Sequence, residues 1–208
     1  MDSSGETLRW YAGHAEAFAA DTLGADLSDE QRRFAAFLPK GGRILDLGCG
    51  AGRDALGFLR LGLKVEAADG SPELCRIAAQ RTGLAVRCLR FDDVPGAYEP
   101  GSLDGIWACA SLLHVRRARL PGLLSALSAL LRENGLFYAS FKLGEGEKRR
   151  GGRLYTDLTP ESAALLAAQV PALTLISQRM QEDARPAHAG EMWLALTFRK
   201  TRAARRLA

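Results

Sequence analysis

Arg43-Ile44-Leu45-Asp46-Leu47-Gly48-Cys49-Gly50-Ala51-Gly52-Arg53-Asp54 is an apolar run that stops on alternate glycines and resumes as a polar, helix-forming segment. Glycines at 48, 50 and 52 end a strand and open a helix, at a place where side chains would keep the backbone from approaching a ligand closely. Outward from this turn, strand and helix signals alternate. Arg43 to Leu47, Lys64 to Ala68, Ala85 to Phe91, Leu103 to Cys109 and Gly135 to Phe141 read as strands, with helices near Ala51 to Leu61, Pro72 to Arg81 and Leu120 to Arg132. That alternation predicts an α/β fold with a parallel sheet covered by helices.

Ser71-Pro72 supplies an N-cap and a proline at the first helical position, and Thr159-Pro160 repeats the arrangement before a helix at Glu161 to Gln169. Ahead of the sheet, Thr7 to Ala20 and Ser28 to Leu38 read as amphipathic helices, the second opened by a capping box at Ser28-Asp29-Glu30-Gln31. After the fifth strand, the glycine-rich, basic stretch Gly144 to Arg153 reads as a mobile loop, and Leu173 to Met180 and Met192 to Arg199 read as two further strands. With no repeat or low-complexity tract, the chain divides into a helical segment (1–40), a core (41–200) and a basic tail (201–208) within one domain.

A chain of 208 residues buries about 70% of its unfolded surface on folding. Its 47% hydrophobic and 25% charged content is that of a soluble globular protein and argues against disorder. No window approaches the roughly 20 apolar residues of a membrane span. Met1 to Tyr11 has neither the basic nor the apolar region of a signal peptide, so a cytoplasmic location is expected. Cys49, Cys75, Cys88 and Cys109 form no CxxC pair and lack histidines at zinc spacing, so they are read as reduced, small, mostly buried side chains, and no metal is expected. The net charge of +4 owes much to Arg199, Lys200, Arg202, Arg205 and Arg206, read as a solvated end with nucleic-acid contact as the alternative.

Which ligand sits on the glycine turn is narrowed by what is missing. A dinucleotide fingerprint needs glycine at the sixth position from Gly48, and that residue is Arg53. A P-loop needs Gly-Lys-Ser/Thr after the turn, and none follows. Asp46, two places before the first glycine, suits a ligand bearing an ammonium and a sulfonium rather than a pyrophosphate. Asp69 closes the second strand, roughly 20 residues past the turn, where a carboxylate accepts hydrogen bonds from ribose hydroxyls.

Asp46 to Asp54, Glu66-Ala67-Ala68-Asp69-Gly70-Ser71 and Leu103 to Val115 together resemble the first motif, the ribose-binding second strand and the fourth strand and loop of class I S-adenosylmethionine-dependent methyltransferases. The resemblance covers about Trp10 to Arg199. It implies a Rossmann-like, doubly wound, mainly parallel seven-stranded sheet with helices on both faces and an antiparallel last strand, Met192 to Arg199. It also implies S-adenosylmethionine as cofactor: Gly48, Cys49, Gly50 and Gly52 packed on it, Asp69, Gly70 and Ser71 at its ribose, Asp46 and Arg53 toward its methionine portion, and backbone around Ala108 to Ala110 beside that portion. The first helix, with Trp10, Tyr11 and His14, would fold over the cofactor as a lid in which Tyr11 makes the contact; an ordinary amphipathic helix packed on the sheet is the alternative. The family usually carries an aspartate after the third strand for the adenine amino group. Counted back from Val94-Pro95 that position is Arg90, and Asp92 is the candidate in its place.

His114, after the fourth strand, stands where ligands bind in open parallel sheets and is the candidate catalytic residue, as proton acceptor or substrate-orienting group. Capping the loop or packing on the cofactor is the alternative. A sulfonium is already a good leaving group, so in-line positioning supplies much of the catalysis and no strong base is required. Lys142, Lys148, Arg149, Arg150, Arg153 and Tyr155 would draw an anionic substrate to the site or form a solvated face. The expected function is methyl transfer to a small-molecule acceptor, by a monomer or a homodimer, with no membrane partner. An RNA methyltransferase and a non-catalytic S-adenosylmethionine-binding protein are the alternatives.

Overall fold

The computed structural model describes residues 3–201, and Arg202, Arg205 and Arg206 of the basic tail lie outside them. The elements run α1 (Ser3–Thr22), α2 (Ser28–Ala35), β1 (Arg43–Leu47), α3 (Arg53–Arg60), β2 (Lys64–Asp69), α4 (Pro72–Thr82), β3 (Arg87–Cys88), α5 (Val94–Ala97), β4 (Leu103–Ala108), α6 (Leu120–Ser128), β5 (Leu131–Lys142), β6 (Gly146–Arg150), β7 (Arg153–Asp157), α7 (Pro160–Ala168), β8 (Leu173–Glu182) and β9 (Met192–Lys200). Seven strands form one sheet in the order β3-β2-β1-β4-β5-β9-β8. β1 to β5 are mutually parallel, and β9 runs antiparallel to both β5 and β8. The doubly wound α/β expectation and the antiparallel last strand are both met.

The sheet starts at β1, winds outward to β3, then returns to β1's other side as β4, so the winding reverses between β1 and β4. In such sheets the crevice at the carboxyl ends beside the reversal is where ligands sit. β1 and β4 are buried on both faces, as the middle strands of a covered parallel sheet must be. On one face, α6 and α7 pack over Leu45, Ile106, Phe137 and Leu196. On the other, Phe34 of α2 and Phe58 of α3 meet Trp107 and Tyr138, whose rings stack 3.8 Å apart.

Several expected boundaries shift for physical reasons. β3 is only two residues, both exposed, because it is the sheet's edge strand rather than the longer Ala85 to Phe91. The helix expected through Arg132 stops at Ser128, because Leu131 already pairs with Leu103 of β4. Gly144 to Arg153 is not a loop: β6 and β7 form a hairpin closed by Gly151 and Gly152, both at positive φ (53° and 80°), the backbone a tight two-residue turn requires. Ser28 does not cap α2. Leu27 occupies the N-cap without a side-chain bond, and the Gln31 carboxamide turns inward to Asp54. Ser71 and Thr159 cap α4 and α7 as expected. Lys200, assigned above to the solvated end, belongs to β9, and its ammonium donates to the Leu131 carbonyl at 2.6 Å.

Candidate active site

The glycine turn emerges from the carboxyl end of β1 beside the loop that follows β4. Gly48 (φ 71°) donates its N–H to the Ala68 carbonyl at 2.8 Å, and a Cβ there would overlap the Ser111 side chain. Ser111 in turn donates its hydroxyl to the Leu47 carbonyl at 2.8 Å, so the two loops are locked together. Gly52 (φ 83°) is the left-handed N-cap of α3, where a Cβ would come within 2.7 Å of the Thr82 methyl. Its freedom from a side chain serves the packing of α3 on α4.

Asp69, at the end of β2, accepts the Gly50 N–H at 2.9 Å on one oxygen and the Ser71 N–H at 2.8 Å on the other. Burial raises its carboxyl to about 6, against the pull of the backbone donors of Ser71, Gly50 and Gly70. Each oxygen keeps lone-pair capacity for a further donor from the cavity.

Arg53 and Asp54 open α3. The Arg53 guanidinium holds the Asp54 carboxylate through Nε (2.9 Å) and Nη2 (2.8 Å). Gln31 Nε2 and Trp107 Nε1 donate to the same carboxylate at 2.8 and 3.0 Å. Burial opposes ionisation of Asp54, but the Arg53 charge and these hydrogen bonds hold its carboxyl below the usual range. Asp46 stands behind the turn, with a backbone N–H of Ala55 as donor and one carboxylate oxygen, Oδ2, buried without a partner. Burial first, and the neighbouring Asp54 charge second, push its carboxyl well above the usual range.

Across the crevice, His114 is buried in a short helical turn after β4. Its Nδ1 lies 2.6 Å from the Leu154 carbonyl of β7, and since a carbonyl only accepts, Nδ1 carries the hydrogen. Burial keeps the ring neutral, lowering its pKa to about 4. Nε2 is therefore an acceptor, and the Tyr11 hydroxyl of α1, 2.9 Å away, donates to it. Burial likewise pushes the Tyr11 hydroxyl up to about 12, so the resting proton sits on oxygen.

These groups converge on a cavity of about 540 Å³ at the carboxyl ends of the strands, roofed by α1 and the β6–β7 hairpin. That volume lies in the range of small-molecule sites. Of the residues expected from sequence, Tyr11, Gly48, Cys49, Gly50, Arg53, Asp69, Gly70, Asp92 and His114 line it. Asp46, Gly52, Ser71 and Ala108 lie behind it: Ser71 caps α4, and Ala108 is fully buried, while the next residues, Cys109 and Ala110, face the cavity. Ala110 adopts a left-handed backbone (φ 51°), held by its N–H to the Ser140 hydroxyl at 2.8 Å. Arg90 and Asp92 both reach the cavity, with Asp92 bound to Arg119 at 2.7 Å.

Sequence reasoning missed Asp54 and Ser111, although both stood inside quoted motifs. It also missed a corner of the mouth where Asp183, His188 and Glu191 bring ligand atoms within 4.8 Å of one another. There Arg185 and Trp193 already bind Asp183, and Lys142 and His188 bind Glu191, so these acids have their donors from within the chain.

A family model described as a methyltransferase domain matches residues 44–135, the span from β1 into β5. A ubiquinone biosynthesis O-methyltransferase from Methylocella silvestris is 35% identical over 113 residues, covering 52% of this chain and 43% of that protein. The chain thus matches less than half the length of these curated relatives. Among solved structures, the 1,6-didemethyltoxoflavin-N1-methyltransferase of Burkholderia thailandensis, with 1,6-didemethyltoxoflavin and S-adenosylhomocysteine bound, superposes with a TM-score of 0.73 at 26% identity, covering 96% of this chain and 87% of that one. A [4+2]-cyclase superposes with a TM-score of 0.65 at 21% identity, covering 85% of this chain and 80% of that one, a likeness of fold alone. The glycine turn, the acid that ends β2, the strand order with its antiparallel β9 and these likenesses agree, and together they support a class I S-adenosylmethionine-dependent methyltransferase.

Proposed function

We propose that this chain transfers a methyl group from S-adenosylmethionine to a small-molecule acceptor, releasing S-adenosylhomocysteine. The observation that carries the reading is the Asp69 carboxylate, fixed by the Gly50 and Ser71 N–H groups at the foot of the cavity with acceptor capacity to spare. That is what a ribose diol requires. Arg53, oriented by Asp54, offers its remaining guanidinium edge to a carboxylate. Leu89 and Phe91 give apolar surface for an adenine, and Asp92 is our choice for its amino group. Asp46 is assigned to holding the turn against α3, with Gly52 and Ser71 setting the packing of α4 behind it.

When bound, S-adenosylmethionine supplies an electrophilic methyl on a sulfonium leaving group. The chain's own contribution is enclosure and a proton path. An acceptor hydroxyl or amine beside Tyr11 would pass its proton to the Tyr11 oxygen as Tyr11 passes its own to His114 Nε2, leaving charge balanced on the imidazolium held by the Leu154 carbonyl. Residues of α1 and of the hairpin, the expected lid and the stretch expected to be mobile, line the same cavity and would limit the access of water to that path.

A small acceptor is favoured over RNA because the cavity has the volume of a small-molecule site and because the cations of β6 are already paired within the chain. Lys148 and Arg150 pair with Asp157, and Arg149 pairs with Glu6. Among the described residues no helix is long and apolar enough to cross a membrane.

Calorimetric titration with S-adenosylmethionine, S-adenosylhomocysteine and NADH tests the cofactor. Both sulfur compounds should bind and NADH should not, and Asp69→Ala should weaken binding about tenfold or more, as loss of a charged hydrogen-bond acceptor does. Preference for NADH, or sulfur compounds that ignore the substitution, would overturn the reading.

A further inference from the structure

Seven cationic side chains line or border the cavity, and the structure sorts them. Arg53, Arg119, Lys142, Arg150 and Arg185 each face a carboxylate: Asp54, Asp92, Glu191, Asp157 and Asp183 respectively. Among the described residues Arg90 and Arg153 have no ion pair. Arg90 is exposed, so water solvates it. Arg153, the first residue of β7, is not. Its Nε is buried without any hydrogen-bond partner, and Nη1 reaches only the Tyr11 hydroxyl at 3.4 Å. Its guanidinium carbon lies 3.8 Å from the Trp10 ring centre, with the rings of Tyr155 and Tyr11 at 5.3 and 5.6 Å.

A partly buried guanidinium whose Nε is shut off from water without an anion is unfavourable, and aromatic faces offset only part of that. They also fix its plane, so the donor edge is pre-organised for two oxygens of one planar anion. We propose that Arg153 binds a carboxylate of the methyl acceptor, so that the acceptor class is a small, flat, anionic molecule whose nucleophilic atom is set beside the Tyr11 hydroxyl. The assignment rests on the methyltransferase reading above, and it names the substrate class for that site.

The placement has a chemical consequence. After burial, the Arg153 charge is a further influence holding the His114 imidazole neutral. A carboxylate on Arg153 cancels that charge, so the acceptor itself would raise the basicity of the group that takes its proton. The aromatic lining favours a ring: His114 lies edge-on to Tyr155 at 5.0 Å, and Tyr11 edge-on to Phe18 at 5.0 Å.

The test uses the full chain saturated with S-adenosylhomocysteine and three matched pairs of probes: salicylate and salicylamide, anthranilate and anthranilamide, benzoate and benzamide. At least one carboxylate should bind about tenfold more tightly than its amide, the worth of a charged hydrogen-bonded pair. Arg153→Met should abolish that preference while S-adenosylhomocysteine affinity stays within about threefold of the parent, and Arg153→Lys should keep part of it because the point charge survives without the fork. Failure of every carboxylate to outbind its amide, or a preference that survives in Arg153→Met, overturns the assignment alone. Failure of the parent chain to bind S-adenosylhomocysteine overturns the methyltransferase reading and this inference with it.

Discussion

Asp69 joins the turn, α4 and the proposed ribose site through two oxygens. Because burial lifts its carboxyl to about 6, it is ionised at neutral pH and protonated in mild acid. A protonated carboxyl gives up acceptor capacity, so S-adenosylhomocysteine affinity should fall about tenfold between pH 8 and pH 5, as linkage to one proton requires. The sign is fixed by the direction of the shift: the binding-competent carboxylate exists above pH 6 and is lost below it. His114, neutral down to about 4, does not titrate in that window. Calorimetry across the pH range, beside Asp69→Asn, checks this; an affinity that stays flat in the parent chain refutes it. Asp69 and the glycines were legible in sequence because their partners are local in pattern, a strand end followed by a turn. The Tyr11–His114 pair was not, since a contact across 103 positions depends on how α1 docks and leaves no local trace.

At the scale of elements, Gly57 shows how α2, α3 and β4 are tied. The Gln31 carboxamide crosses above it to reach Asp54, and a Cβ at Gly57 would overlap that carboxamide. Gly57→Ala gains about 0.5–1 kcal/mol of helix propensity. It also displaces a buried hydrogen bond to a charged group, worth about 1.5–3 kcal/mol. The loss outweighs the gain, so Gly57→Ala should destabilise by about 1–2 kcal/mol in chemical denaturation. In a Gln31→Ala background the obstruction is gone, and the same substitution should become stabilising. Destabilisation of similar size in both backgrounds would sink the explanation. Sequence reasoning assigned Gln31 to a capping box because Ser-x-x-Gln satisfies that local rule; the buried Asp54 carboxylate is the stronger competitor for its amide. The hairpin was misread for a related reason: glycine and charge suggested mobility, while Gly151-Gly152 was itself a two-residue turn signal. Alternate burial is weak in β6, which is largely exposed, so the strand left little hydrophobic pattern.

For the whole molecule, α1 and the hairpin lie far apart in the sequence, yet both line one cavity. Glu6 of α1 pairs with Arg149, Thr7 accepts the Leu154 N–H at 3.3 Å, and Trp10 backs Arg153. The parallel pairing of the central strands was readable because each βα unit is continuous in sequence and its handedness is fixed by strand twist. How the roof docks on that core was not, because it depends on contacts between distant segments. Ligand binding at this junction should therefore stabilise the chain globally. At a hundredfold excess over the dissociation constant the linkage is about 2.7 kcal/mol, which for a chain of this size raises Tm by about 5–10 °C. Hydrogen exchange gives the local counterpart: amides of α1 and of the β6–β7 hairpin should slow together when S-adenosylhomocysteine binds, since each element holds the other over the cavity. A rise in Tm with protection confined to the glycine turn would show a cofactor site that forms without the roof, and would remove α1 and the hairpin from the proposed enclosure.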